Sequence, residues 1–140
     1  MGDPGHHDAI SPAVKVLTVS DGVFHGVRED RSGAALVACC EAEGWTVVET
    51  AVTADGVDAV AKALHALVDG FHGLVLTTGG TGFGSRDATP EGTLAVVDRL
   101  APGLAEAMRL VNPLGRLSRC LLYTSPSPRD QRGPRMPSSA

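Results

Sequence analysis

Between Gly73 and Glu91 the chain leaves few choices of fold. A short apolar run, Leu74-Val75-Leu76-Thr77-Thr78, reads as a buried strand spanning 73–78, and it empties into a glycine-rich loop, Gly79-Gly80-Thr81-Gly82-Phe83-Gly84. Thr89 has the chemistry of a helix N-cap and Pro90 that of a first helical residue, so a helix is expected to begin there. Glycines let backbone N–H groups approach an anion that a Cβ would hold away, and a helix N-terminus adds partial positive charge. The stretch reads as an anion-binding loop at the carboxyl end of a strand.

Two further strands precede it. Val14 to Val19 is a compact β-branched run closed by Ser20-Asp21-Gly22, and Trp45 to Val52 is a second, closed by Thr53-Ala54-Asp55-Gly56. Gly22 to Arg31 reads as a surface loop before a helix that starts near Asp30 or Ser32, carries Leu36, Val37 and Cys40 on one face, and stops at Gly44. Val57, Val60, Ala61, Leu64, Leu67 and Val68 recur at helical spacing, with Asp55 available as a cap and Gly70 as a stop. A helix from Pro90 is expected to carry Leu94 and Val97 inward, and another from Pro102 carries Leu104, Ala105 and Met108. Strands alternating with helices imply parallel pairing, right-handed crossovers and a sheet covered on both faces. The expected fold is α/β, a three-layer α/β/α sandwich with a mainly parallel sheet.

A chain of 140 residues, 43% of them hydrophobic, is enough for one core. The boundaries read as a loose leader over residues 1–13, a domain over 14–119, and a Ser/Pro/Arg-rich tail over 120–140, expected to be disordered and non-native. A net charge of −4 without a dense basic run speaks against a nucleic-acid partner, and no segment is long and apolar enough for a membrane, so a cytoplasmic protein is expected. Three cysteines, two adjacent as Cys39-Cys40, fit neither a disulfide framework nor a zinc site and read as helix packing. His25, His65 and His72 match no catalytic pattern.

The glycine loop fails the familiar phosphate motifs. A P-loop needs a lysine where Ser85 stands, and the dinucleotide fingerprint fits Gly80-Thr81-Gly82 but fails at Ser85 and falls after the third strand instead of the first. On the residues alone, Asp55 reads best as a helix cap and Asp87 as a turn residue; Ser20 and Asp21 close a strand, Ser118 is a surface hydroxyl, and Arg86 is solvated.

The run Thr77-Thr78-Gly79-Gly80-Thr81-Gly82 followed by Arg86-Asp87-Ala88-Thr89-Pro90-Glu91 resembles the signature of the MogA/MoaB-type molybdenum-cofactor biosynthesis family, the molybdopterin adenylyltransferases. Ser20-Asp21, Asp30-Arg31-Ser32-Gly33, Asp55, Pro102-Gly103 and Leu117-Ser118-Arg119 fall in the family's order, so the resemblance covers about residues 14–119. It implies a molybdopterin-binding domain that transfers AMP from ATP to the molybdopterin phosphate with release of pyrophosphate. It further implies Asp55 and Asp87 as catalytic residues and Mg²⁺ ligands, with Ser20, Thr78, Gly79, Gly80, Thr81, Gly82 and Ser118 binding substrate or phosphate. A homotrimer or hexamer and a molybdenum-insertion enzyme as partner are also implied. A non-catalytic pterin-binding or assembly protein of the same fold, or an inactive fragment, is the alternative. A competence-damage-type relative fits less well, because its loop usually reads Gly-Gly-Leu-Gly-Pro-Thr. After Leu-Ser-Arg the family continues through a glycine turn, a further strand, an Asn-Leu-Pro-Gly-x-Pro loop and a closing helix, whereas Cys120 here opens the Ser/Pro-rich tail. A chain lacking that ending is expected to lack part of the pterin site and of the core.

Overall fold

The computed structural model describes residues 11–111, so the tail and Ser118 lie outside the described residues, as does most of the leader. They form two compact units, one up to Val96 and one from Val97. The first carries three strands, β1 (Ala13–Val19), β2 (Thr46–Thr53) and β3 (Leu74–Thr78), with helices α1 (Asp21–Phe24), α2 (Arg31–Ala42), α3 (Val57–Val68) and α4 (Thr89–Leu94). The second carries α5 (Pro102–Val111), which has no buried residue.

The sheet is parallel throughout, in the order β2-β1-β3. Alternation along β1 divides the core into two layers. Val14 and Val16 face α2, packing with Cys40 against Leu36, Val37 and Trp45. Leu17 and Val19 face the other way, onto Val60, Leu64 and Leu67 of α3, with Val96 alongside. Helices thus cover both faces of the sheet, giving the expected three-layer α/β/α sandwich. Lys15 shares the second face. Its ammonium sits 4.4 Å from the Phe71 ring centroid, donates to Leu67 O at 2.9 Å, and pairs with Glu49 at 3.2 Å.

Several boundaries and faces differ from the sequence reading. Ala13 already belongs to β1, and Ser11 donates to Gly44 O at 2.8 Å, so the chain is engaged before Val14. Within the expected loop, Asp21–Phe24 forms one helical turn capped by the Ser20 hydroxyl. The strand at 73–78 is half-exposed, because no strand flanks β3 on its outer side among the described residues. Leu94 and Val97, expected inside, are exposed at 51% and 41%; α4 instead buries Thr89 and Gly92, the latter lying where a Cβ would come within 2.7 Å of the Val60 side chain. Leu104 and Met108 of α5 are exposed too. Cys40 packs in the core, but Cys39, one position earlier on α2, is exposed.

Candidate functional site

Parallel strands place all their carboxyl ends on one edge, where the segments after them enclose a cavity of about 600 Å³. Ser20 follows β1, Asp55 follows β2, and Gly79 and Gly80 follow β3; all four line the cavity, as does Asp87 from the far side of the glycine loop. The opposite wall is the approach to α2, with Arg28, Glu29, Arg31 and Ser32.

The glycine loop is shaped by close approach. Gly79 and Gly80 have φ of +94° and +68°, and a Cβ on Gly79 would run into the Val19 carbonyl. A Cβ on Gly80 would overlap the Thr89 hydroxyl and stand 3.2 Å from Asp55 Oδ1. The missing side chain of Gly80 therefore lets Thr89, Val19 and that carboxylate pack directly against the loop backbone. Thr89 does not cap α4, whose N-cap is Ala88; its hydroxyl donates to Gly79 O at 2.8 Å, and its N–H donates to Gly80 O at 3.0 Å. Asp87 closes a local turn, its Oδ2 accepting from Gly84 N–H at 2.9 Å.

Asp55 does not cap α3 either. Gly56 holds the N-cap position without a side-chain bond, and Asp55 reaches across to the end of β1. Its Oδ2 accepts from Asp21 N–H at 2.9 Å, while its own N–H donates to Asp21 Oδ1 at 3.1 Å. Asp55 Oδ1 is buried and has no hydrogen-bond partner among the described residues. An unpaired buried acceptor costs about 1–3 kcal/mol, more when charged, so its persistence marks a position that a ligand can complete.

Arg86 ties the three strand ends together. Its guanidinium grips both oxygens of Asp21, at 2.6 and 3.1 Å, and also donates to Asp55 O at 3.1 Å. The hydrogen bond from Arg86 holds the Asp21 carboxyl below its ordinary range, partly opposed by desolvation and aided by the Asp55 N–H; Asp21 in turn raises the Arg86 pKa. At the start of α2, Asp30 accepts from Gly33 N–H at 2.9 Å as the helix N-cap and receives the Thr18 hydroxyl on both oxygens.

Of the residues singled out in the sequence, Ser20, Asp55, Gly79, Gly80 and Asp87 come together around the cavity. Thr78 ends β3 without lining it, and Thr81 and Gly82 are exposed. The Arg28, Glu29 and Arg31 wall was not anticipated; the Asp-Arg-Ser-Gly helix start at residue 30 was the only pointer to it.

Residues 15–118 match the family model of the probable molybdopterin binding domain. The chain belongs to this family. The molybdopterin adenylyltransferase of Haemophilus influenzae is 42% identical over 103 residues, 71% of this chain and 52% of that protein. That of Escherichia coli K12 is 38% identical over 108 residues, with the same coverage of 71% and 52%. Among solved structures, the molybdopterin biosynthesis enzyme MoaB from Thermus thermophilus superposes with a TM-score of 0.64 at 39% identity, covering 73% of this chain and 65% of that one. This molybdopterin-binding-domain chain spans about half the length of the curated relatives it matches. No helix among the described residues is long and apolar enough to cross a membrane.

Proposed function

We propose that this chain carries the phosphate-handling half of a molybdopterin adenylyltransferase site, in which AMP passes from ATP to the molybdopterin phosphate and pyrophosphate leaves. The observation that carries this reading is the buried Oδ1 of Asp55, without a hydrogen-bond partner among the described residues, on a residue that lines the same cavity as Asp87. Phosphoryl-group chemistry asks chiefly for charge neutralisation and in-line positioning, and a glycine cradle beside carboxylates suits both.

The residues fit Mg²⁺. That ion keeps several waters and binds through one or two carboxylates plus substrate phosphates, so Asp55 and Asp87 would be its protein ligands. Among the described residues there is no group of three or more acidic, His or Cys side chains that could hold a metal. When bound, the ion supplies neutralisation of the charge on the transferring phosphate. Gly79 and Gly80 bring loop backbone to the cavity, Ser20 borders the same space, and Arg28 adds positive charge beside the Arg31–Glu29 pair, 3.8 Å apart. Thr78, Thr81, Gly82 and Ser118 complete the proposed substrate-binding set. The same reading gives a cytoplasmic homotrimer or hexamer that passes its product to a molybdenum-insertion enzyme.

The test is to incubate the protein with ATP, Mg²⁺ and molybdopterin, following pyrophosphate release and adenylyl-molybdopterin by mass. Asp55→Ala and Asp87→Ala should each lower turnover about 100-fold or more, the scale of losing substrate positioning. Pterin binding without pyrophosphate release in the parent chain would overturn the transferase reading in favour of a non-catalytic pterin-binding protein.

A further inference from the structure

We propose that Asp21 and Arg86 are positioning residues that hold the Asp55 carboxylate in register beside the cavity it lines, an inference that rests on the cation-binding reading of Asp55 given above. The three residues come from the segments after β1, β3 and β2 respectively. Residues 21 and 55 interlock reciprocally, each backbone N–H donating to the other's carboxylate, at 2.9 and 3.1 Å. That exchange occupies Oδ2 of Asp55 and leaves Oδ1 buried without a partner among the described residues. Arg86 then clamps Asp21 through Nε and Nη2 and reaches Asp55 O with Nη2 as well.

The pair is not built for stability. The Arg86 side chain is 64% exposed, and ion pairs in such positions contribute little to folding. Its geometry is the feature that stands out, because a planar fork across both carboxylate oxygens fixes orientation as well as distance. If the fork is removed, Asp21 can swing away, its N–H and Asp55 lose their register, and the Asp55 carboxylate is free to turn Oδ1 toward water. Arg86 also immediately precedes Asp87, so the same grip sets the position of the second cavity carboxylate.

Charge and position predict opposite outcomes, which makes the inference testable without turnover. Binding of Mn²⁺ alone, as a stand-in for Mg²⁺, would be titrated by electron paramagnetic resonance on the parent chain and on Arg86→Gln, Arg86→Lys and Asp21→Asn, with thermal melts in parallel. Through charge alone, Arg86→Gln removes a cation from the neighbourhood and should tighten Mn²⁺. Through positioning, it should weaken Mn²⁺ about tenfold or more, as losses of orienting partners around a metal do. Arg86→Lys, which keeps the charge but not the fork, should recover only part of the affinity, and Asp21→Asn should weaken binding while melting close to the parent. Unchanged or tighter binding in Arg86→Gln overturns the positioning role alone. A parent chain that binds no Mn²⁺ overturns the cation reading of Asp55, and this inference with it.

Discussion

Replacing Gly80 with alanine should unsettle the loop that shapes the cavity, and its cost can be worked from two contributions. The backbone at Gly80 has φ +68°, where an alanine pays about 1–2 kcal/mol for its Cβ. The new methyl would also overlap the Thr89 hydroxyl and stand 3.0 Å from Val19 Cγ1. Displacing that hydroxyl breaks its 2.8 Å bond to Gly79 O at a partly buried site, which costs about 1–2 kcal/mol more. The sum, roughly 2–4 kcal/mol, is a large share of the 5–15 kcal/mol that typically holds a domain together. Urea unfolding with a common slope would measure it. The companion variant Thr89→Ala removes the obstructed hydroxyl, so in that background Gly80→Ala should cost only the backbone share, about 1–2 kcal/mol. A loss below about 0.5 kcal/mol for Gly80→Ala, or strict additivity of the two substitutions, would refute the close-approach account.

Three further outcomes are expected. Leu17 is fully buried between β1 and α3, so Leu17→Ala should destabilise by about 2–5 kcal/mol in the same denaturation assay. Asp30→Ala removes the α2 cap and strands the buried Thr18 hydroxyl, which should cost about 1–3 kcal/mol and lower α2 amide protection in hydrogen exchange. The depressed Asp21 carboxyl makes its pair with Arg86 fully effective above the unfolded-state value and lost as pH falls through the lower folded one. A carboxyl-detected NMR titration should therefore place Asp21 below an ordinary aspartate in the parent chain, and the value should rise in Arg86→Gln.

Where the fold depends on local pattern, it is legible in the residues. The β-branched runs, the Asp30 cap and the two consecutive glycines after β3 each announce themselves within a few positions, and together they yield the parallel sheet and the edge where the cavity lies. The bonds that set the site span much longer separations. Asp55 looks like a cap because a helix follows it, yet its partner is 34 residues earlier. Arg86 looks solvated, yet it grips a carboxylate 65 residues away. Thr89 satisfies the rules for an N-cap and is instead spent on the Gly79 carbonyl. The turn at Asp21–Phe24 was invisible because four residues containing a glycine have no periodicity to read. Leu94 fits an inward stripe, but the close contact of Gly92 with Val60 sets which face of α4 meets α3.

The central place of β1 shapes how this protein must be made. Of the three described strands, the one with two neighbours is synthesised first, and its partners follow about 30 and 60 residues later. With translation adding about 5–20 residues per second, Val14, Val16, Leu17 and Val19 emerge seconds before anything exists to pair with them. The sheet can therefore close only when β3 and the glycine loop have followed, so the site at its carboxyl edge is the last part of this unit to form.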